Sequence, residues 1–468
     1  MMALVMLVDR QRRSRFCRAP SRGGRRASAG PRPGRGVATG WGFLAILLAV
    51  IVAGGCERSA DATGAGETIL RVANWGGAAV DSDFMKLERQ IIREFEQRHP
   101  GVRVRVEQIP GAGQYAPKLL MMHVAGSVPD VIQLDASSAA VFIDNGVLRD
   151  LMPYVRRDQR AGMFHLDDYF ANVTAIARRG AALYAIPLDF TPMVIYYNKR
   201  LFDAAGVPYP HTGWSWDAFL DTARRLTIPA DQPGRPPRQY GINFENNMPL
   251  WVLWLWTNGG DVLSPDGTRA GGYFDGPKSI EAVQFIVDLI EKYHVAPHLR
   301  ESMAAGVDLF RAQRAAMDLK GHWMMLDYRA DGLDVGVVEL PTRGVPPVTV
   351  VYASGLAITA KARHPRLAWE YIKYLTSEGV QVRRVGSGLA ISGNRKAAAH
   401  FAADPIERAF LAAVRHARPP WGARVERYPF LEDLGREMME DILYSDGRLS
   451  VERAMHQTAR LMDAALRE

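Results

Sequence analysis

Between residues 68 and 135 the chain alternates strand-like and helix-like segments, and this pattern confines it to an open α/β sheet. TILRVANW (68–75) is a short apolar strand ending in a polar turn. Helix 84–101 follows, with Phe84, Leu87, Ile91 and Phe95 at helical spacing and Pro100-Gly101 as its stop. VRVRVEQI (102–109) alternates apolar and charged residues, as a half-buried strand does. A strand, a helix and a strand in so short a span form a βαβ unit with parallel strands and a right-handed crossover. A second helix near 114–125 leads into the strand PDVIQLD (129–135). In such sheets ligands sit beyond the carboxyl ends of the strands. The polar groups there are Asn74 beside Trp75, Gln108 before Gly111 and Gly113, and Asp135.

The chain has 468 residues, too many for one ordinary core, so two lobes or domains are expected. Its formal charge of +8 is concentrated in the first 55 residues, which hold ten arginines and one acid, Asp9, a charge of +9. The remaining body is therefore near −1, which removes the support for a nucleic-acid partner. The basic stretch runs into WGFLAILLAVIVAGGC (41–56), whose apolar run of about 13 residues is short of the ~20 that span a bilayer. Residues 1–55 read as a secretory signal with a long basic n-region. Ala53, Gly54 and Gly55 before Cys56 resemble a bacterial lipobox, which makes Cys56 the lipidation site and residues 56–66 a flexible, lipid-anchored tether. The only other cysteine, Cys17, lies in the leader, so the body has no disulfide and no thiol chemistry.

Further on, IPLDFTPMVIYYNKRLFDAAGVPYP (186–210) is an extended run with prolines followed by a short helix, suited to crossing between lobes. Helices are expected at 211–227 with Ser215 as N-cap, at 279–294 with Pro277 near its start, at 366–380 and at 449–468. Strands are expected at 334–341 and 349–360. PLWVLWLWTNGGD (249–261) places three tryptophans within six residues, before a polar, glycine-rich turn. Helical spacing favours a core element, yet indole N–H groups need partners and tryptophan is rarely fully buried.

The motifs of the common hydrolases, zinc proteases and redox proteins are missing: there is no GxSxG, HExxH or CxxC. The 11 histidines form no ligand cluster, and Pro297 spoils a helical pairing of His294 with His298, so neither a metal nor a cofactor is expected. What remains is aromatics, amides and isolated carboxylates beside glycine turns. Carboxylates and amides bond hydroxyls, and indole faces cover the apolar faces of sugar rings.

Across nearly the whole body the chain resembles the sugar-binding lipoproteins of bacterial ABC importers, the extracellular solute-binding proteins of family 1 that include maltose-binding protein. The resemblance is carried by IIREFEQRHPGVRVRVEQIPG, PDVIQLD, YAIPLDFTPMVIYYNKRLFDAAGVPYP, WTNGGDVLSPDG, MDLKGHWMM and SGLAITAKARHPRLAWEYIKYLTSEGV, in that order. It implies an α/β, two-lobed periplasmic-binding-protein type II fold with a ligand cleft between lobes joined by a multi-strand hinge. The first lobe would be 67–190 plus 361–385 and the second 191–350 plus 395–468. Hinge crossings would lie near 191–197, 350–360 and 386–392. By position, Asn74, Trp75 and Gly76 would form the first cleft loop, Gln114 and Tyr115 a cleft-edge helix, and Asp135 and Asp189 hydroxyl acceptors. Trp323 would stack on the ligand, Ser354 and Gly355 would bring backbone close to it, and Trp251 would be the tryptophan of its segment that faces it. Trp256 would pack, and Asn258 and Asp261 would shape the turn. The implied function is capture of a sugar or oligosaccharide without catalysis, by an exported, lipid-anchored monomer that delivers to a membrane permease. Another polyol-like solute such as a glycerophosphate, or a secreted carbohydrate-active enzyme, are the alternatives.

Overall fold

The computed structural model describes residues 67–467, apart from 77–82, 111, 233, 387, 389 and 424. The leader, Cys56 and the tether lie outside the described residues.

Two sheets organise the chain. The strands are β1 (Thr68–Gly76), β2 (Val102–Pro110), β3 (Val131–Asp135), β4 (Arg178–Arg179), β5 (Ala182–Leu183), β6 (Ile186–Pro192), β7 (Val194–Asn198), β8 (Met317–Lys320), β9 (Val335–Val338), β10 (Thr349–Ile358), β11 (Ile391–Ser392) and β12 (Ala417–Arg418). The larger sheet runs β11-β6-β10-β3-β1-β2, with β12 paired to β10, and the smaller runs β8-β7-β9; β4 and β5 form a separate hairpin. β1 is parallel to β2 and β3, as the βαβ pattern requires, whereas β10 is antiparallel to β3 and β6. Only Met193 separates β6 in the large sheet from β7 in the small one.

The helices used below are α1 (Asp83–Arg98), α2 (Ala112–Val124), α3 (Ala171–Ile176), α4 (Trp216–Leu226), α5 (Met248–Thr257), α6 (Pro277–Glu291), α7 (Pro365–Leu375), α8 (Glu378–Val385), α9 (Pro405–Ala413), α10 (Tyr428–Tyr444) and α11 (Val451–Arg467). α1 buries Ile91 and Phe95 and ends at Pro100 and Gly101, whose φ of 81° suits glycine. Ser215 caps α4, its Oγ accepting the Ala218 N–H at 3.2 Å. The expected single helix 366–380 is two helices, α7 and α8, because the chain breaks at Thr376-Ser377 and Ser377 starts a new turn.

α5 carries the three tryptophans and is apolar on all sides, the signature of a helix with no solvent face. Trp251, Trp254 and Trp256 are 1%, 4% and 3% exposed. Trp254 packs against Trp216, Phe219 and Phe285 at ring separations of 5.7, 5.1 and 5.7 Å. Together with α4, α6, α10 and α11 they build one apolar core around the small sheet. A second core, around Leu70, Ile91, Phe95, Trp369 and Ile372, lies against the large sheet. A third cluster runs from Ala73 and Leu134 of the large sheet to Val194 and Tyr196 of the small one.

Candidate functional site

Parallel pairing aligns the carboxyl ends of β1, β2 and β3. Asn74 stands opposite Gln108, and Gly76 opposite Pro110. Antiparallel β10 then places Ser354 between Asp135 of β3 and Asp189 of β6, and Ser392 of β11 faces Asp189 from the far side. One row across the sheet thus carries Asp135, Ser354, Asp189 and Ser392.

Much of that row is wired internally. The Ser354 hydroxyl donates to Asp189 Oδ1 at 2.6 Å and accepts from Gln133 Nε2 at 3.1 Å. Arg384 of α8 lies 3.8 Å from Asp189 Oδ2 and bonds Glu88 Oε1 at 2.7 Å. Burial pushes the Asp189 carboxyl above its usual range, and the Arg384 charge only partly opposes it. Asp135 Oδ2 accepts the backbone N–H groups of Ser137 and Ser138 at 2.8 and 3.2 Å, capping the turn Ala136–Ser138. Burial raises its carboxyl too, against those N–H groups.

Across from this row stands the start of α10. Tyr428 interacts with Ser137, Tyr352 and Glu432. The Tyr352 hydroxyl donates to the Pro249 carbonyl at 3.2 Å, in the first turn of α5. Trp421 sets its ring edge-on to Tyr428 at 4.8 Å. Gly422 makes that possible, since a Cβ there would lie 1.4 Å from the Tyr428 ring. Burial pushes the Glu432 carboxyl up to about 8, with Asp135 adding to the rise and the Tyr428 hydroxyl opposing it. Among the buried polar atoms with no hydrogen-bond partner are Asn74 Oδ1 at the end of β1, Trp421 Nε1 beside Tyr428, and Glu432 Oε1 on α10. Buried polar groups are almost always bonded, and each one left alone costs about 1–3 kcal/mol, so these atoms are candidate ligand contacts, as are others away from the strand ends such as Asn198 Nδ2 and Asn258 Oδ1.

The residues expected from sequence fall into three groups. Asn74, Trp75, Gly76, Asp135, Asp189, Ser354 and Gly355 come together at the strand ends. Gly355 sits at a bulge in β10, where a Cβ would lie 2.9 Å from Ala185 Cβ. Tyr115 is beneath them, its hydroxyl within 3.0 and 2.9 Å of the Ala73 and Gln133 carbonyls, and Trp75 meets its ring edge at 5.4 Å. Trp323, 39% exposed, follows β8 beside the crossing strands: the neighbouring His322 N–H donates to Thr191 Oγ1 at 2.6 Å, and Thr191 pairs with Tyr352. Gln114 and Trp251 are not brought into the row. Gln114 is exposed on α2, and the Trp251 N–H donates to Asn246 Oδ1 at 3.2 Å. Trp251 also borders a 30 Å³ cavity with Asn243, Glu245, Trp254 and Asp318.

Sequence reasoning passed over Ser137, Tyr352, Trp421, Tyr428 and Glu432. The one local signal was Pro419-Pro420-Trp421-Gly422, a tryptophan held between prolines and a glycine. A wider groove of about 980 Å³ lies between α3 and α9, lined by Asp168, Asn172, Arg395 and Lys396. Part of its charge is engaged within the protein, Lys396 bonding Asp168 at 3.0 Å and Arg395 reaching the Asp167 backbone carbonyl at 3.4 Å, while Arg415 also lines it. Among the described residues no three His, Cys, Asp or Glu side chains are grouped to hold a metal, and no helix is long and apolar enough to cross a membrane.

Comparison with known proteins gives the same architecture. A "Multiple sugar-binding protein" from Streptococcus mutans is 23% identical over 326 residues, which are 66% of this chain and 73% of that one. An ABC substrate-binding protein from Listeria monocytogenes, solved with cycloalternan, superposes with a TM-score of 0.74 at 20% identity, over 85% of this chain and 99% of that one. UgpB from Mycobacterium tuberculosis, solved with glycerophosphocholine, gives 0.71 at 21% identity, over 86% and 99%. The fold is the α/β, two-lobed type II fold of periplasmic binding proteins, with its cleft between the lobes. The sequence profile of the bacterial extracellular solute-binding proteins matches residues 80–382, and the chain belongs to that family.

Proposed function

We propose that this chain captures a sugar or oligosaccharide between the β1–β3 and β10 strand ends and the start of α10, and delivers it to the permease of an ABC importer. One observation carries the proposal: Asn74 Oδ1, Glu432 Oε1 and Trp421 Nε1 are buried and unpaired, the last two on residues that meet Tyr428. An amide acceptor, an indole donor and a carboxyl raised to about 8, which donates when protonated, match a polyhydroxylated ring, whose hydroxyls both give and accept. The lobes would be 67–190 with 361–385 and 191–350 with 395–468, closing about crossings near 191–197, 350–360 and 386–392. Ligand contacts on both sides would lower the free energy of the closed state, which the permease reads. The chain would be exported and held to the membrane by a lipid on Cys56. It would act as a monomer and without catalysis.

A glycerophosphate is the second reading, favoured by the likeness to the glycerophosphocholine-bound protein. Phosphate recognition calls for cationic donors. Arg384, which approaches Asp189 of this row, is already shared by Glu88 and Asp189.

A thermal-shift screen of the purified chain against mono-, di- and trisaccharides and glycerophosphates tests both. A ligand at a hundred times its Kd adds roughly 2.7 kcal/mol and raises Tm visibly. A sugar class that shifts Tm and is recovered intact supports the receptor. A shift confined to glycerophosphates supports the second reading, and a ligand consumed during the assay supports an enzyme.

A further inference from the structure

We infer that Glu407 is a positioning residue for ligand binding: acting through His322, it holds the Trp323 indole as a fixed platform for a sugar ring. The inference rests on the function proposed above and concerns the same site.

Among the described residues Trp323 is the only exposed tryptophan. Its six-membered ring leans on the Gly321 backbone, where a Cβ would come within 2.2 Å of Cζ3. An indole that rests on backbone takes its direction from the turn that carries it. That turn, His322–Met324 with Gly321 at its start, is tied to three elements. The Tyr196 hydroxyl donates to the Gly321 carbonyl at 3.1 Å, and the His322 N–H donates to Thr191 Oγ1 at 2.6 Å. Tyr196 and Thr191 belong to β7 and β6, so both ties come from the crossing between the sheets. The third comes from α9, 85 residues further along the chain: His322 Nε2 lies 2.9 and 3.0 Å from the two carboxyl oxygens of Glu407. A carboxylate only accepts, so Nε2 is the donor. His322 is fully buried and its Nδ1 has no partner, so among the described residues Glu407 alone hydrogen-bonds the imidazole. Phe410, on the same helix, backs the ring at a separation of 4.8 Å. Asp404 caps α9 and so places Glu407 in its first turn, where the helix dipole favours a carboxylate. Replacing a buried polar pair of this kind by apolar side chains is often no less stable, so what the pair adds here is direction. A binding group stays within about 0.5 Å of its productive place only when its supports are locked, and Glu407 locks the residue next to Trp323.

Fluorine NMR of the full-length chain labelled with 5-fluorotryptophan reads Trp323 directly, its signal being the one missing from Trp323→Phe. Glu407→Met, which keeps the volume and removes the acceptor, should shift or broaden that signal and leave the signal of the buried Trp369 in place. Glu407→Gln keeps an acceptor for Nε2 and should restore it. The double change His322→Leu with Glu407→Met leaves no buried polar group at the pair, which keeps the fold testable, and should move the Trp323 signal as well. Titration calorimetry with maltose, maltotriose, cellobiose and lactose reads the binding side. Glu407→Met should weaken the sugar that binds by roughly tenfold or more and Glu407→Gln by less than about threefold, and in a Trp323→Ala background Glu407→Met should cost nothing further. A Trp323 signal unmoved by Glu407→Met and by the double change overturns the inference and leaves the sugar receptor standing. A loss of affinity that persists undiminished in the Trp323→Ala background overturns it as well. Failure of all four sugars to bind the unmodified chain removes both the inference and the sugar function on which it rests.

Discussion

Two groups of aromatic side chains in this protein look alike in sequence and differ in chemistry. The α5 group holds Trp251, Trp254 and Trp256, with Trp216 beside it, and the protein itself completes most of their polar needs. Trp251 bonds Asn246, Trp256 bonds Asp261 at 2.8 Å and Trp216 reaches Thr257 Oγ1 at 3.3 Å. The α10 group holds Tyr352, Trp421 and Tyr428, and there the Trp421 N–H and the Glu432 carboxyl oxygen have no protein partner. A core spends its aromatic surface on its own stability. A binding site, as proposed for the α10 group, would leave part of that surface and its polar handles unsatisfied until a ligand arrives.

The contrast is broken most severely by Trp254→Ala. Removing a ring packed against three others should cost about 3–5 kcal/mol in chemical unfolding. If the cost is under 1 kcal/mol, α5 is not the core element described here. Matched Trp→Phe changes sharpen the comparison. Trp421→Phe should weaken ligand binding by roughly 1–3 kcal/mol, through the ligand acceptor it leaves unpaired, with the unfolding midpoint of the free protein unchanged. Trp256→Phe should do the reverse, losing about 1 kcal/mol of stability at unchanged affinity in titration calorimetry. Equal effects of the two changes on both measurements would erase the distinction.

The smallest effects are pH slopes of opposite sign. Burial alone would raise the Asp158 carboxyl, but Arg157, Lys373 and Trp369 hold it well below the usual range. Its folded pKa is depressed, so its stabilisation is present above about pH 4 and is lost as the pH falls further. Asp158→Asn should flatten the acid limb of a Tm–pH profile. Glu432 is raised to about 8, so the protonated form is favoured on folding. The ligand-free protein should therefore lose stability as pH rises from about 5 towards 8, and Glu432→Gln should remove that decline. A decline unchanged in the variant would assign it to another group.

The strand–helix alternation from 68 to 135 was legible because periods of two and 3.6 residues are local properties, and parallel pairing follows from the crossover length. That is also why Asn74, Asp135 and their neighbours could be placed at one sheet edge in advance: each is a strand end. The family resemblance extended this to Asp189, Ser354 and Trp323. Trp251 shows the limit of spacing. Three tryptophans on one helix do not reveal which face meets solvent, and α5 has no such face because α4, α6, α10 and α11 surround it.

The sequence alone determined the sheet type, the near-neutral body behind a basic leader and the polar character of the strand ends, since each is set by residues adjacent in the chain. Only the tertiary structure decided that Ser354 and Asp189 bond each other across 165 residues, and that Tyr428 and Glu432 face Ser137 and Asp135 from almost 300 residues away. Whether a buried carboxyl or indole is satisfied depends on which distant groups packing brings within 3 Å, and nothing in local sequence encodes that distance.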